Sequence, residues 1–238
     1  MKKSIFFLFL LQMSISSVYT FSFSPIIKEF DSKGNGRIQT FRIKNESDDP
    51  IAVQISMMTR AMNRDGEEIN SDASDLFVIY PHQLILQPDD SQSIRVQWNG
   101  PENIDSEQAF RIIAEQLPIS FNKENTNRGQ LNIVYRYVGS VYIIPENPSS
   151  EISIESVTPL DDHLVIRVKN GGNRHTILED LILTLSDGIR TVSLNYDDLP
   201  HMAGENILAG IVRDFSITRP SQLTGENISG EISYKETR

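Results

Sequence analysis

Residues Leu131 to Pro145 read LNIVYRYVGSVYIIP, a run far longer than the ~5–6 residues of an average strand. By the period of two, Leu131, Ile133, Tyr135 and Tyr137 share one face, and Asn132, Val134, Arg136 and Val138 share the other. Both faces are largely apolar, and the polar loop from Asn122 to Gly129 precedes them. Two readings follow. The run is a central strand buried on both faces, or it is an edge strand whose apolar side chains are offered to a partner chain. A free apolar edge invites aggregation unless a partner occupies it.

The sequence on either side is also strand-like. Arg37–Lys44, Ile51–Met57, Leu76–Tyr80, Leu84–Leu86, Ser93–Trp98 and Phe110–Leu117 carry alternating or short apolar runs. Turn formers separate them, such as Gly34-Asn35-Gly36, Asp48-Asp49-Pro50, Asp65-Gly66 and Pro88-Asp89-Asp90. Only Asp72–Phe77 has room for one short helical turn. Pro145-Glu146-Asn147-Pro148-Ser149-Ser150 then breaks the pattern as a linker would. Strands resume at Glu151–Thr158, Leu164–Asn170, Leu181–Leu185, Arg190–Leu194, Ile207–Ile217 and Ser229–Tyr234. The chain therefore reads as all-β, with two β-sandwiches of immunoglobulin-like size. One spans residues 21–145 and the other 146–238.

The first 20 residues read as a secretory signal peptide. Lys2 and Lys3 lead into the apolar run Ile5–Leu11, and small polar residues follow before Thr20. Removing these 20 residues from 238 leaves 218, and losing two lysines takes the net charge from −10 to −12. That acidity argues against nucleic acid, whose backbone needs clustered Lys and Arg. No later apolar run approaches the ~20 residues of a membrane span, so the mature chain is expected not to insert in a membrane. With no cysteine, an exported chain has no disulfides, no thiol chemistry and no Cys-ligated zinc.

Catalytic and metal motifs are not apparent. There is no G-x-S-x-G elbow, H-E-x-x-H pair or phosphate-binding glycine loop. His82, His163, His175 and His201 are scattered and read as loop or rim residues. Asp161-Asp162 and Asp197-Asp198 read as turns rather than catalytic pairs. Asp31–Gly36 echoes a calcium loop but has Lys33 at its third position and Arg42 at its twelfth. Neither a metal, a cofactor nor an enzymatic activity is expected.

A family resemblance rests on three blocks. They are Tyr80–Val96 (YPHQLILQPDDSQSIRV), Phe110–Pro118 (FRIIAEQLP) and the long strand ending at Pro145. Together they resemble the periplasmic chaperones of the chaperone–usher pilus pathway, the PapD-like proteins. The Arg136-Tyr137 pair ahead of the Val-Tyr-Ile-Ile-Pro ending is most similar to the archaic branch. The resemblance covers the first domain; the second agrees in size and strand character.

This resemblance implies two immunoglobulin-like domains in an L shape. It implies a periplasmic protein that binds pilus or fimbrial subunits, completes their sandwich with its own strand, and delivers them to an outer-membrane usher. Such donor-strand complementation is a form of β-augmentation. Carried onto this chain, the donors are Leu131, Ile133 and Tyr135, with Tyr137 next in line. The family anchors a subunit's C-terminal carboxylate with basic side chains, yet its usual Arg falls at Ile27 and its usual Lys at Ser140. Arg111 and Arg136, with Lys28 beside Ile27, are the substitutes, and arginine's planar fork suits a carboxylate. Phe21 and Phe23 either contact the subunit or pack on their own domain. An apolar edge also admits self-association when no subunit is bound. The rival functions are a secreted two-domain adhesin or carbohydrate-binding protein, and a secreted β-sandwich hydrolase.

Overall fold

The computed structural model describes residues 21–119 and 133–235. Among the described residues, the first part of the chain forms eleven strands. They are β1 (Phe21–Ser24), β2 (Ile27–Asp31), β3 (Ile38–Asn45), β4 (Ile51–Thr59), β5 (Ala61–Met62), β6 (Glu68–Ile69), β7 (Phe77–Tyr80), β8 (Gln83–Leu86), β9 (Ser91–Trp98), β10 (Gln108–Gln116) and β11 (Arg136–Ile144). They make two facing sheets, ordered β1-β3-β9-β7 and β2-β11-β10-β4-β8, beside the small β5–β6 hairpin. Alternation decides which side chains meet between the sheets. Phe41 and Ile43 of β3 and Ile94, Val96 and Trp98 of β9 face Val53, Ile55 and Met57 of β4 and Phe110, Ile112 and Ala114 of β10. Each large apolar side chain so buried contributes about 1.5–3 kcal/mol.

The second part forms β12 (Ile152–Leu160), β13 (His163–Asn170), β14 (Thr176–Ile177), β15 (Glu179–Ser186), β16 (Thr191–Asn195), β17 (Asn206–Ile207), β18 (Val212–Thr218) and β19 (Ser229–Lys235). Their sheets run β12-β13-β18, β16-β15-β19 and β14-β17. A separate core gathers Leu164, Ile166, Val168, Leu181, Leu183, Leu185, Phe215 and Ile217. The structure is all-β with two sandwiches, as the alternation predicts.

Two strand expectations need correction. Within the described part of the 131–144 run, residues 133–135 precede the strand, which begins at Arg136. The expected strand Ile207–Ile217 divides into β17 and β18, because a turn at 209–210 separates two stretches that pair with different partners.

The chain crosses between sheets within residues 21–31. β1 pairs with β3, Phe21 opposite Asn45, while β2 runs parallel to β11 in the other sheet. Pro25 follows a cis peptide bond between the two strands. Gly139 permits the close approach of β2, since a Cβ there would lie 2.8 Å from the Ile26 carbonyl oxygen.

Candidate functional site

β11 is flanked unequally. On one side β10 pairs with it from Glu115↔Arg136 to Gln108↔Ile143. On the other side β2 pairs with it only from Ser140↔Ile27 onward. Among the described residues, no strand pairs with that second side before Ser140. Hydrogen bonds fix which groups face it. Gln116 N–H donates to the Tyr135 carbonyl at 2.9 Å, so odd-numbered residues present their backbone to β10. Ser140 N–H donates to the Ile26 carbonyl at 2.8 Å, so even-numbered residues present theirs to the β2 side. The backbone N–H and C=O groups of Arg136 and Val138 therefore lie along an open sheet edge.

The side chains sort by the same parity. Val141 and Ile143 enter the first core, and Tyr135 and Tyr137 pack against it. The Tyr137 hydroxyl donates to the Phe21 carbonyl at 2.6 Å. Ile133 precedes β11 and is 60% exposed, and Val134 and Val138 are also exposed. Leu131 lies outside the described residues. Phe21 and Phe23 are buried in their own core, Phe21 edge-on to Tyr137 and Phe23 stacked on Phe41.

The outer face of the same sheet carries the charge. Pairing aligns Ile27, Ser140, Arg111 and Met58 in one row across β2, β11, β10 and β4. Val138, Ile113 and Ser56 form the next row. Ile27 and Val138 are exposed apolar residues on either side of Ser140. Arg111 rises from this apolar surface, and all three of its guanidinium nitrogens are engaged. Nε donates to Glu68 Oε2 at 2.9 Å, Nη2 donates to Glu68 Oε1, and Nη1 donates to Ser140 Oγ at 2.5 Å.

A second arginine shares the same carboxylate. Arg60 Nε donates to Glu68 Oε1 at 2.8 Å, and its Nη1 donates to the Tyr142 hydroxyl at 2.8 Å. Two cations thus bracket one anion. Burial pushes the Glu68 carboxyl up, but the Arg111 hydrogen bond and the charges of Arg60 and Arg111 outweigh it and hold the group below its usual range.

The three basic residues singled out from the sequence do not gather. Lys28 pairs with Val141 and shares the face of buried Phe30, so it leaves the sheet opposite to Arg111. Lys28 is therefore no partner of Arg111. Arg136 is on the same face as Ser140 but four residues along β11, roughly 13 Å away at ~3.3 Å per residue. It sits opposite Glu115. The partner of Arg111 is instead Arg60, just past the end of β4, with Glu68 of the β5–β6 hairpin. The sequence signal for that hairpin is Asp65-Gly66, a favoured two-residue turn type, but nothing in it links Glu68 to residue 111.

The cluster continues to the second sandwich. Tyr142 stacks on His175 with ring centroids 3.8 Å apart, and Asn206 Nδ2 donates to its hydroxyl at 2.9 Å. His175 Nδ1 lies 2.7 Å from Glu107 Oε2, with both side chains nearly buried. His175 lies in the loop ahead of β14, as its sequence reading has it, but it is buried at the contact between the sandwiches rather than open at a rim. Arg174 Nη2 donates to Glu29 Oε1 at 2.6 Å alongside it. Among the described residues no group of His, Asp and Glu could hold a metal ion, and no helix is long and apolar enough to cross a membrane.

Residues 31–148 match the family described as "Pili and flagellar-assembly chaperone, PapD N-terminal domain". Similar solved structures include the class 5 fimbriae chaperone CfaA, at 19% identity, 92% of this chain, 100% of that chain and a TM-score of 0.58. The CsuC–CsuE chaperone–tip adhesion subunit pre-assembly complex from the archaic chaperone-usher Csu pili of Acinetobacter baumannii matches at 15% identity, 83% and 90% coverage and a TM-score of 0.55. The Salmonella enterica SafA pilin–SafB chaperone complex matches at 13% identity, 92% and 98% coverage and a TM-score of 0.54. At these identities the likeness is one of fold, and it extends over both sandwiches. No curated protein matches the sequence.

Proposed function

We propose that this chain, whose residues 31–148 match the pili and flagellar-assembly chaperones with a PapD N-terminal domain, completes pilus subunits with its own strand in the periplasm and hands them to an outer-membrane usher. The observation that carries this reading is the unequal flanking of β11. Its second side is unpaired before Ser140 among the described residues, and it lies beside an apolar sheet face. An incoming strand would find the backbone groups of Arg136 and Val138 already in hydrogen-bonding geometry. Ile133 and Tyr135, with Tyr137 behind them, would extend the row of inward-facing side chains into the subunit's own core.

Arg111 is the residue best placed to take the subunit's C-terminal carboxylate. It stands in the middle of the apolar face, and its Nε/Nη2 pair already binds a carboxylate in fork geometry. The test is co-expression with a pilus subunit that lacks its last strand. We expect that protein to co-purify with the wild type, and to be lost when Ile133 and Tyr135 are both changed to Asp or when Arg111 is changed to Ala. Undiminished capture by the Asp variant would remove the lent strand from the account. Undiminished capture without Arg111 would remove the anchor.

A further inference from the structure

We propose that Glu68 is a built-in competitor for Arg111: it holds the fork of the guanidinium in the free protein, and a partner's terminal carboxylate binds by replacing it. This rests on the reading of Arg111 as a carboxylate anchor and adds how that anchor is kept occupied.

The hydrogen-bond pattern carries the argument. Nε and Nη2 are the two nitrogens that a carboxylate grips in parallel, and both are bound to the Glu68 oxygens. Nη1 is bound to Ser140. A second carboxylate cannot grip the same fork while Glu68 remains. Arg60 offers no alternative seat, since its side chain is 6% exposed whereas those of Arg111 and Glu68 are 17% and 26% exposed. Charge balance points the same way. Glu68 neutralises one of two cations, so a monovalent carboxylate taking its place leaves the local charge unchanged.

Glu68 stands on a short hairpin. β5 and β6 share the pairs Ala61↔Ile69 and Met62↔Glu68, and hydrogen bonds between Asn63 and Glu67 close the turn. The tip of their hairpin rests on the second sandwich: Asp214 N–H donates to the Arg64 carbonyl at 2.8 Å, and Arg213 Nη1 lies 3.0 Å from Met62 Sδ. Gly66 is required there, because at φ +89° its missing Cβ leaves room for the Arg213 guanidinium. Withdrawal of Glu68 would thus be felt at the contact between the sandwiches.

The test uses a small model of a chain terminus, N-acetyl-valine, and its uncharged twin N-acetyl-valinamide. Each is titrated into the full-length protein while the Arg111 Nε–H signal is followed by NMR. A tethered carboxylate acts at an effective concentration of millimolar or more, so Glu68→Gln should lower the Kd for N-acetyl-valine at least tenfold. The amide should bind neither protein. Glu68→Asp, too short to span both nitrogens, should give a smaller gain and carries the test if the Gln variant does not fold. An unchanged or higher Kd in the folded variant overturns the competitor and leaves the anchor standing. Equal response to acid and amide in every protein overturns the anchor, and the competitor with it.

Discussion

Replacing Val138 by proline tests the open edge without touching a side chain proposed to bind. Val138 belongs to the even-numbered set whose N–H faces away from β10, and its pair with Ile113 is one that exchanges no ladder hydrogen bonds. Proline there removes no hydrogen bond to β10, and edge positions tolerate proline. The side chain is already 44% exposed, so the fold should lose only on the order of 1 kcal/mol. A strand docking on this edge loses more. It forfeits one hydrogen bond worth about 1 kcal/mol, and its own carbonyl is left buried and unpaired at about 1–3 kcal/mol. The sum, about 2–4 kcal/mol, corresponds to a Kd weaker by roughly 30- to 700-fold. Tyr137→Pro is the contrasting control. Tyr137 donates its N–H toward Ala114 of β10 and packs its ring on Phe21, so this variant should lose about 4 kcal/mol or more and much of its fold. Surface plasmon resonance against the immobilised subunit, with urea melts of each variant, reads both quantities. A folded Val138→Pro protein that captures the subunit like the wild type refutes the edge as the docking site.

Three further outcomes follow from the structure. Glu107→Ala strips the buried partner of His175 and should cost about 2–4 kcal/mol, seen in urea melts together with faster hydrogen exchange at residues 173–175. Gly139→Ala places a methyl against the Ile26 carbonyl and Ile112 and should cost about 1–3 kcal/mol. Its exchange should quicken first in β2, and a protein as stable as the wild type would contradict the close approach. Asp187 is held at about 2 by backbone N–H groups of Arg190 and Ile189, with Gly225 and Thr224 adding to them. Its folded pKa is below the ordinary value, so its contribution is complete above about pH 4 and fades as pH falls toward 2. The melting temperatures of the wild type and Asp187→Asn should differ at pH 7 and converge at pH 2; a constant gap would deny the ionised carboxylate its role.

Most strands were legible because alternation is a local property. Phe41, Ile43, Ile94, Val96 and Trp98 announce their buried faces two residues at a time, and the structure buries those faces. The 131–144 run was legible as special but not as to where it becomes regular, because its start depends on β10 ending at Gln116. Arg111 was visible as a charge in an apolar strand. Its companions were not, since Arg60 lies beyond the apolar run Ile51–Met57 and Glu68 beyond the Asp65-Gly66 turn formers, and neither carries a local mark. Only the pairing of β10 with β4 and the folding back of the β5–β6 hairpin bring residues 60, 68 and 111 together. His175 was legible as a loop residue but not as a buried one, for the same reason. A single histidine carries no local mark of the Glu107 and Tyr142 side chains that another part of the chain supplies.

The absence of a basic residue at Ile27 and Ser140 has a physical consequence that ties these observations into one arrangement. A lysine at the sheet edge keeps its ammonium in water and needs no counter-ion when nothing is bound. Arg111 stands instead in β10, with β11 on one side and β4 on the other, and its side chain is 17% exposed. A cation so placed is costly to leave unpaired. Ser140 can supply a hydroxyl acceptor but no charge, and Ile27 supplies neither. The compensating anion has to come from elsewhere in the chain, and the β5–β6 hairpin delivers it as Glu68. Arg60, between β4 and the hairpin, binds the same carboxylate and bonds to Tyr142, so it reaches the His175 stack. Moving the cation inward from the edge therefore requires an internal carboxylate and connects that carboxylate to the contact between the sandwiches. An edge lysine would impose neither condition.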